Sequence, residues 1–252
     1  MGPINKKMKK IIITLLIASG FVSCDDSPTT GNVSKITNYP IITVTGDDPY
    51  FVPLGTPYVD PGAVAMAGSN EVPVVTTAVG KYRGTTTLDT NKIDEYLVSY
   101  SAENSDGFSG TATRKVIVYK TGDLVTSLEG VYIANTSRNG SSPGTAQNLK
   151  YVYIWKNADG TYGVSDAFGG WYEYHRGFGV GYITPDATIN AVSIPTNTFT
   201  YPGNPFSNTG FGGTANILDV NVDPVNKKIV LTVSWLAPTA YTFVVTLTQV
   251  QL

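Results

Sequence analysis

Through most of the chain, apolar and polar residues alternate in short runs with a period of two. In EYLVSYSA (95–102), Tyr96, Val98, Tyr100 and Ala102 share one side, and Leu97, Ser99 and Ser101 the other. That is the pattern of a strand with one face on a core. Runs of the same kind, bounded by Gly, Pro, Asn and Asp, predict strands at IITVTG (41–46), VPVVTTAV (72–79) and TATRKVIVYK (111–120). Ser105-Asp106-Gly107 folds the last two long runs into a hairpin. Beyond Thr121-Gly122-Asp123, read as a linker, further strands are expected at 130–137, 149–156, 161–166, 170–177, 191–196, 215–222, 228–236 and 239–250. Asn157-Ala158-Asp159-Gly160 and Asp223-Pro224-Val225-Asn226 supply turns between paired strands. No stretch after residue 24 keeps helical spacing for three turns. The expectation is an all-β protein whose second half forms an antiparallel barrel or sandwich, two forms that this pattern does not separate.

The first residues follow a different rule. Lys6, Lys7, Lys9 and Lys10 precede a mostly apolar run of twelve residues, Ile11–Val22. That run is well short of the roughly 20 residues a membrane-spanning helix needs, and the layout is that of a secretion signal. Phe21-Val22-Ser23-Cys24 resembles the bacterial lipoprotein box, with Phe21 in place of the usual leucine. The resemblance implies a signal peptide over 1–23 and lipidation of Cys24, the sole cysteine, as the first mature residue. Each buried methylene contributes about 0.8 kcal/mol, and several acyl chains together make the anchor durable. Asp25 and Asp26 resemble the surface-export signal of Bacteroidota lipoproteins. This implies a protein lipid-anchored in the outer membrane and facing the cell exterior, with 24–37 as lipidated N-terminus and tether.

PYVDPGAVA (57–65), DTNKIDEYLVSYSAENSDG (89–107) and TATRKVIVY (111–119) resemble, in order, the bacterial Ig-like domain of pesticidal crystal proteins and Bacteroidota surface lipoproteins. The likeness covers 38–120 and implies an Ig-like sandwich with Tyr96 as its tyrosine-corner residue. The family's glycine two residues before that tyrosine is Asp94 here. TYGVSDAFGGWYEYHRGFGVGY, within a C-terminal β-domain over 128–252, is similar to a domain of uncharacterised Bacteroidota lipoproteins. Such lipoproteins accompany outer-membrane glycan-uptake systems, which implies uptake proteins and a polysaccharide or oligosaccharide as partners.

Charge and chemistry narrow the function further. Discounting the four leader lysines from 17 basic residues leaves 13 against 19 acidic ones. With no basic tract, the chain is a poor match for nucleic acid. One histidine, His175, and no G-x-S-x-G elbow leave no nucleophilic triad. Neither a metal site nor any cofactor is expected, because His175 and scattered carboxylates make no transition-metal ligand set and GFGVGY precedes no helix. The oxygens of GDD (46–48) and NADG (157–160) read as turn residues rather than calcium ligands. Asp166 and Glu173 are the one carboxylate pair to weigh for glycoside hydrolysis.

The remaining candidate is FGGWYEYHRGFGVGY (168–182). If extended, it sets Trp171, Glu173 and His175 on one face and Tyr172, Tyr174 and Arg176 on the other. Flat rings with polar neighbours suit a sugar, whose C–H face stacks while its hydroxyls take hydrogen bonds. Trp171, Tyr172, Glu173, Tyr174, His175 and Arg176 are thus the candidate ligand-binding residues, core packing of the aromatics being the competing use. TYPGNPFSNTGFGG (200–213), with Tyr201, Phe206 and Phe211, is a candidate lip of the same site. Trp155 and Trp235, in alternating strands, are expected in the core. The reading is a non-catalytic, glycan-binding accessory of an uptake system. Its rival is a structural or adhesive surface protein that contacts other proteins and binds no sugar, and a glycan hydrolase trails both.

Overall fold

The computed structural model describes residues 36–252. The expected signal peptide (1–23), the lipidated Cys24 and the tether as far as residue 35 lie outside the described residues. Sixteen strands follow, and they belong to three sheets.

β1 (Pro40–Val44), β3 (Ala63–Ala67) and β4 (Asn70–Val72) form one antiparallel sheet. β2 (Tyr50–Pro53), β7 (Ser109–Tyr119), β6 (Asp94–Glu103) and β5 (Val74–Gly80) form a second, in that order, with β2 parallel to β7. Tyr96, Val98 and Tyr100 of β6 are buried with Val52, Val116 and Val118, and Ile42, Val44 and Ala63 of the facing sheet pack on them. The alternation in EYLVSYSA is therefore a buried face, closed as a sandwich. Tyr96 donates its hydroxyl to the carbonyls of Asp89 (2.8 Å) and Lys92 (3.2 Å), the tyrosine-corner bond. Asp94, standing where a glycine was expected, uses its carboxylate to accept the backbone N–H groups of Tyr82, Arg83 and Glu95. The departure from the family pattern thus organises the β5–β6 connection. Arg114, wholly buried in this sandwich, is neutralised by Asp60 at 2.8 Å.

The remaining strands build a single nine-stranded antiparallel sheet, curled around its own core. Its members are β8 (Gly130–Arg138), β9 (Leu149–Lys156), β10 (Tyr162–Val164), β11 (Thr188–Ser193), β12 (Thr198–Thr200), β13 (Phe206–Asn208), β14 (Gly212–Asp223), β15 (Lys228–Ala237) and β16 (Thr239–Gln249). The order is β12-β11-β10-β9-β8-β16-β15-β14-β13. Strict alternation buries Ile229, Leu231, Val233 and Trp235 of β15, and Phe243, Val245 and Leu247 of β16. In β14 a bulge between Ile217 and Asp219 shifts the buried set from Ala215 and Ile217 to Val220 and Val222.

Of the two expected forms, barrel or sandwich, the sheet is an incomplete version of the first. It stops short of strand-to-strand closure, and side-chain amides close the seam instead. Asn204 donates to the Ile217 carbonyl (2.8 Å) and accepts the Ile217 N–H (2.9 Å). Asn197 does the same for Val222, at 3.2 and 2.6 Å. Each amide thus replaces one rung of the ladder that β14 lacks beyond β13.

Tyr39–Leu252 form one compact unit, so sandwich and curled sheet share a junction. Ile93, just before β6, and Ile117 of β7 are buried against Val131, Tyr153 and Trp155 of the curled sheet. Set into this apolar contact is a polar cluster. The Lys81 ammonium lies 3.1 Å from Glu95 and 2.8 Å from Glu173. Tyr153 donates to Glu95 (2.8 Å), Tyr82 donates to Glu173 (3.0 Å), and the hydroxyls of Tyr82 and Tyr174 are 2.8 Å apart. Burial alone would discharge Lys81, but the Tyr174 phenol and the two carboxylates outweigh it and raise its pKa. Burial likewise raises the Tyr82 and Tyr153 phenols, keeping both as hydrogen-bond donors.

Two outcomes follow for folding. Asn204→Ala should lower unfolding free energy by about 1–2 kcal/mol and speed exchange of the Ile217 amide, because two partly buried backbone groups lose partners; unchanged exchange there would show that the seam holds without the amide. Lys81→Met should cost about 3–5 kcal/mol in denaturant unfolding, since Glu173 remains buried without a cation and Glu95 keeps only Lys115 at 3.9 Å; a loss under about 1 kcal/mol would mean that water already solvates these carboxylates.

Candidate functional site

Beyond β10 the chain leaves the sheet through Ser165-Asp166-Ala167-Phe168-Gly169-Gly170. Asp166 is fully buried and accepts four hydrogen bonds: from the N–H groups of Phe168 (3.1 Å), Gly170 (2.8 Å) and Thr184 (3.1 Å), and from the Thr184 hydroxyl (2.6 Å). Burial raises its pKa to about 6 in spite of these donors. Gly169 and Gly170 then take left-handed conformations, φ +60° and +78°, which only glycine adopts freely. A Cβ at Gly169 would fall 2.3 Å from Val245 Cγ1, so the backbone here rests directly on the sheet.

The strand expected over 170–177 does not form, and the two glycines are the reason. Trp171–His175 is instead a wide helical turn. Its hydrogen bonds reach back five residues, from the His175 N–H to the Gly170 carbonyl and from the Arg176 N–H to the Trp171 carbonyl. Such turns recur at functional sites. The two-faced arrangement that an extended backbone would give is thereby replaced, and the six candidate residues face three surroundings rather than one platform.

Trp171 is buried beneath the site, its ring 4.5 Å from His175 and 5.9 Å from Phe243. Tyr172, also largely buried, aims its ring at Phe211 (5.1 Å) and Trp235 (5.6 Å). Glu173 and Tyr174 turn away into the junction with Lys81 and Tyr82. His175 pairs its Nδ1 with the Thr145 hydroxyl at 2.8 Å, and Arg176 is exposed with its guanidinium 5.9 Å from the Phe178 ring. Trp171, Glu173 and Tyr174 therefore offer no free face to a sugar; packing and the junction occupy them.

What the turn does build is an open groove of about 400 Å³, lined by Tyr172, Phe211, Gly213, Trp235, Pro238 and Tyr241 among others. Trp235 and Tyr241 are cross-strand partners on the β15–β16 hairpin, with ring centroids 5.5 Å apart. Trp235 is both core and groove wall: its Nε1 donates to the Gly212 carbonyl at 3.0 Å. Gly213 makes that approach feasible, because at its φ of +76° a Cβ would sit 2.6 Å from Trp235 Nε1. The passing backbone then presents Phe211, which also meets Phe178 and Tyr182. The two stretches singled out in the sequence, 168–182 and 200–213, thus meet at one place. Of the second stretch's aromatics only Phe211 is delivered to it, since Phe206 is buried in the sheet core and Tyr201 packs against it. Arg138, at the end of β8, completes the rim. Its Nη1 donates to the Tyr172 hydroxyl at 3.2 Å, and its guanidinium lies 5.1 Å from the Trp171 ring and 4.9 Å from the Tyr241 ring.

Tyr241 and Arg138 had no signal of their own in the sequence. Each belongs to an ordinary alternating strand, and only the register brings them beside Tyr172. The carboxylate pair weighed for hydrolysis lies elsewhere. Asp166 is saturated by the loop it holds, Glu173 by Lys81 and Tyr82, and neither lines the groove. Asp48 accepts the Lys115 N–H, and Asp159 accepts the N–H and hydroxyl of Thr161. No cluster of three or more His, Cys, Asp or Glu able to hold a metal occurs among the described residues.

With this geometry in place, comparison with known proteins is informative. The model of a bacterial surface protein Ig-like domain matches residues 42–118. The crystal structure of the lipoprotein BT2262 from Bacteroides thetaiotaomicron is similar over 82% of this chain and 98% of its own, with 23% identity and a TM-score of 0.60. At that identity the likeness concerns the fold. No curated protein matches. The model of a C-terminal-domain family matches residues 121–249, slightly more than half of the sequence, so the chain belongs to that family, and it carries the family's domain behind a surface Ig-like one.

Proposed function

We propose that this protein is a lipid-anchored surface protein that binds a glycan in the Tyr172–Phe211–Trp235–Tyr241 groove without cleaving it. The observation that carries the reading is the convergence of four aromatic side chains, from the wide turn, the β13–β14 connection and the β15–β16 hairpin, around one open cavity. Such rings cover the C–H face of a pyranose, and the Tyr172 hydroxyl and Arg138 supply polar contacts at the edge. No carboxylate lines the groove to act as acid or base, which favours capture over hydrolysis. The match to a bacterial surface Ig-like domain and the fold shared with a Bacteroides lipoprotein support a place at the cell surface. On this reading Cys24 carries the anchor in the outer membrane, the sandwich spaces the groove from the lipid, and outer-membrane uptake proteins are its neighbours.

Two measurements test it. In affinity gels containing polysaccharides, the soluble protein should be retarded, and Phe211→Ala and Tyr241→Ala should each weaken retention about tenfold, the scale of losing one stacking ring. Thermal unfolding should change little, because both rings are partly exposed. Absence of retardation on every polysaccharide would instead favour an adhesive or structural role with protein partners. Separately, mass spectrometry of the protein from its native membrane should find Cys24 acylated at the mature N-terminus; an unmodified thiol would remove the anchor from the scheme.

A further inference from the structure

The charge around the groove says what kind of glycan it takes. The chain has four arginines. Two have carboxylates for company: Arg114 is bonded to Asp60 at 2.8 Å, and Arg83 acts on Asp94. The other two, Arg138 and Arg176, stand beside Tyr172, and among the described residues neither lies within 4.0 Å of a carboxylate. His175 adds a third basic group to the same corner. Its surroundings are the Thr145 hydroxyl, the Trp171 ring and the two arginines, while Glu173 on the same turn is committed to Lys81 across the junction. Burial first, and then the nearby Arg176 and Arg138 charges, lower the His175 pKa. All this occurs in a protein that is acidic as a whole, with a net charge of −2.

The Arg138 guanidinium is also unusually fixed for a cation without a counter-ion. It is packed on two rings and tethered to one phenol, an arrangement that orients its remaining N–H groups without consuming them. A planar guanidinium so held matches a carboxylate or sulfate bidentately. A preoriented anion receptor beside a stacking surface fits a sugar that carries both an apolar face and a negative group.

We propose, building on the glycan-binding reading, that the groove selects acidic glycans, whose uronate carboxylates or sulfate esters pair with Arg138 and Arg176 while a ring stacks between Phe211, Trp235 and Tyr241.

The test uses the whole mature protein with three soluble polymers: dextran as the neutral probe, polygalacturonate for carboxylate and dextran sulfate for sulfate. Calorimetry at physiological salt should show at least tenfold tighter binding to one acidic polymer than to dextran, and which one identifies the anion. Arg176→Gln, at an exposed position where folding is not at issue, and Arg138→Gln should each weaken acidic binding severalfold. Arg176→Gln should leave any dextran binding unchanged. The single histidine provides an independent readout: its NMR titration should shift to higher pH with the acidic polymer and stay in place with dextran. Dextran bound as tightly as both acidic polymers, with a stationary His175, would overturn acidic selectivity and leave the glycan groove standing. Acidic binding undiminished in both arginine variants would also overturn it, by showing that the anion sits elsewhere. If no polymer is bound at all, the glycan reading falls and this inference with it.

Discussion

One buried carboxylate fixes the geometry on which the rest of the C-terminal half depends. Asp166 gathers three backbone N–H groups and a hydroxyl from both ends of the excursion between β10 and β11. Two consecutive left-handed glycines then start a helical turn directly on the sheet. A carboxylate with so many donors is costly to bury and costly to replace, because every donor would be orphaned at once. Replacing it by asparagine would set an NH₂ group against one of those N–H donors. The site is therefore built by a polar staple within an apolar sheet, and the surrounding aromatics pack onto a backbone path already chosen.

Because that turn is helical, successive residues leave it in different directions. Tyr172 enters the groove, while Glu173 enters the junction and closes on Lys81 and Tyr82. The groove wall and the contact between the two sheet systems are thus adjacent residues on one rigid segment. A binding surface built this way is held by strands and a packed turn rather than by free loops, which limits the ordering cost on binding. The sandwich gains an orientation relative to the groove from the same residues. Ion pairs of this kind add little net stability over apolar packing, but they penalise every arrangement in which a charge stays buried and unpaired.

Periodicity was a good guide wherever strands run unbroken. The alternation in β6, β15 and β16 is the observed burial, and Tyr96 makes the tyrosine-corner bond that the family resemblance implied. It misled at 170–177 because six alternating-looking residues follow two glycines, and the backbone those glycines permit decides the geometry; the Gly169-Gly170 pair was itself the available warning. The two aromatic stretches meet at one groove, as their composition suggested, yet their partners there carried no signal. Trp235 looked like core because it is core on most of its surface, and Arg138 and Tyr241 become neighbours of Tyr172 only through the β8–β16 and β15–β16 registers. Whether the second half is a barrel was equally hidden, since the seam depends on the side-chain amides of Asn197 and Asn204 pairing with the β14 backbone, which no period of the pattern marks.

The size of the groove constrains how it works. At about 400 Å³ it is near the small end of ligand pockets, which run from about 300 to 1,000 Å³. It is also open, so a polymer can lie across it without threading an end. On the proposed glycan-binding reading the groove would contact one or two sugar rings, each stacking or bidentate contact contributing about 1–3 kcal/mol. Affinity for an isolated sugar is then weak, and useful retention comes from many copies engaging one long chain. The proposed lipid anchor would supply that condition by holding many copies in one plane. A sandwich acting as the proposed spacer would hold each groove clear of the surface, so modest chemistry at each site would suffice.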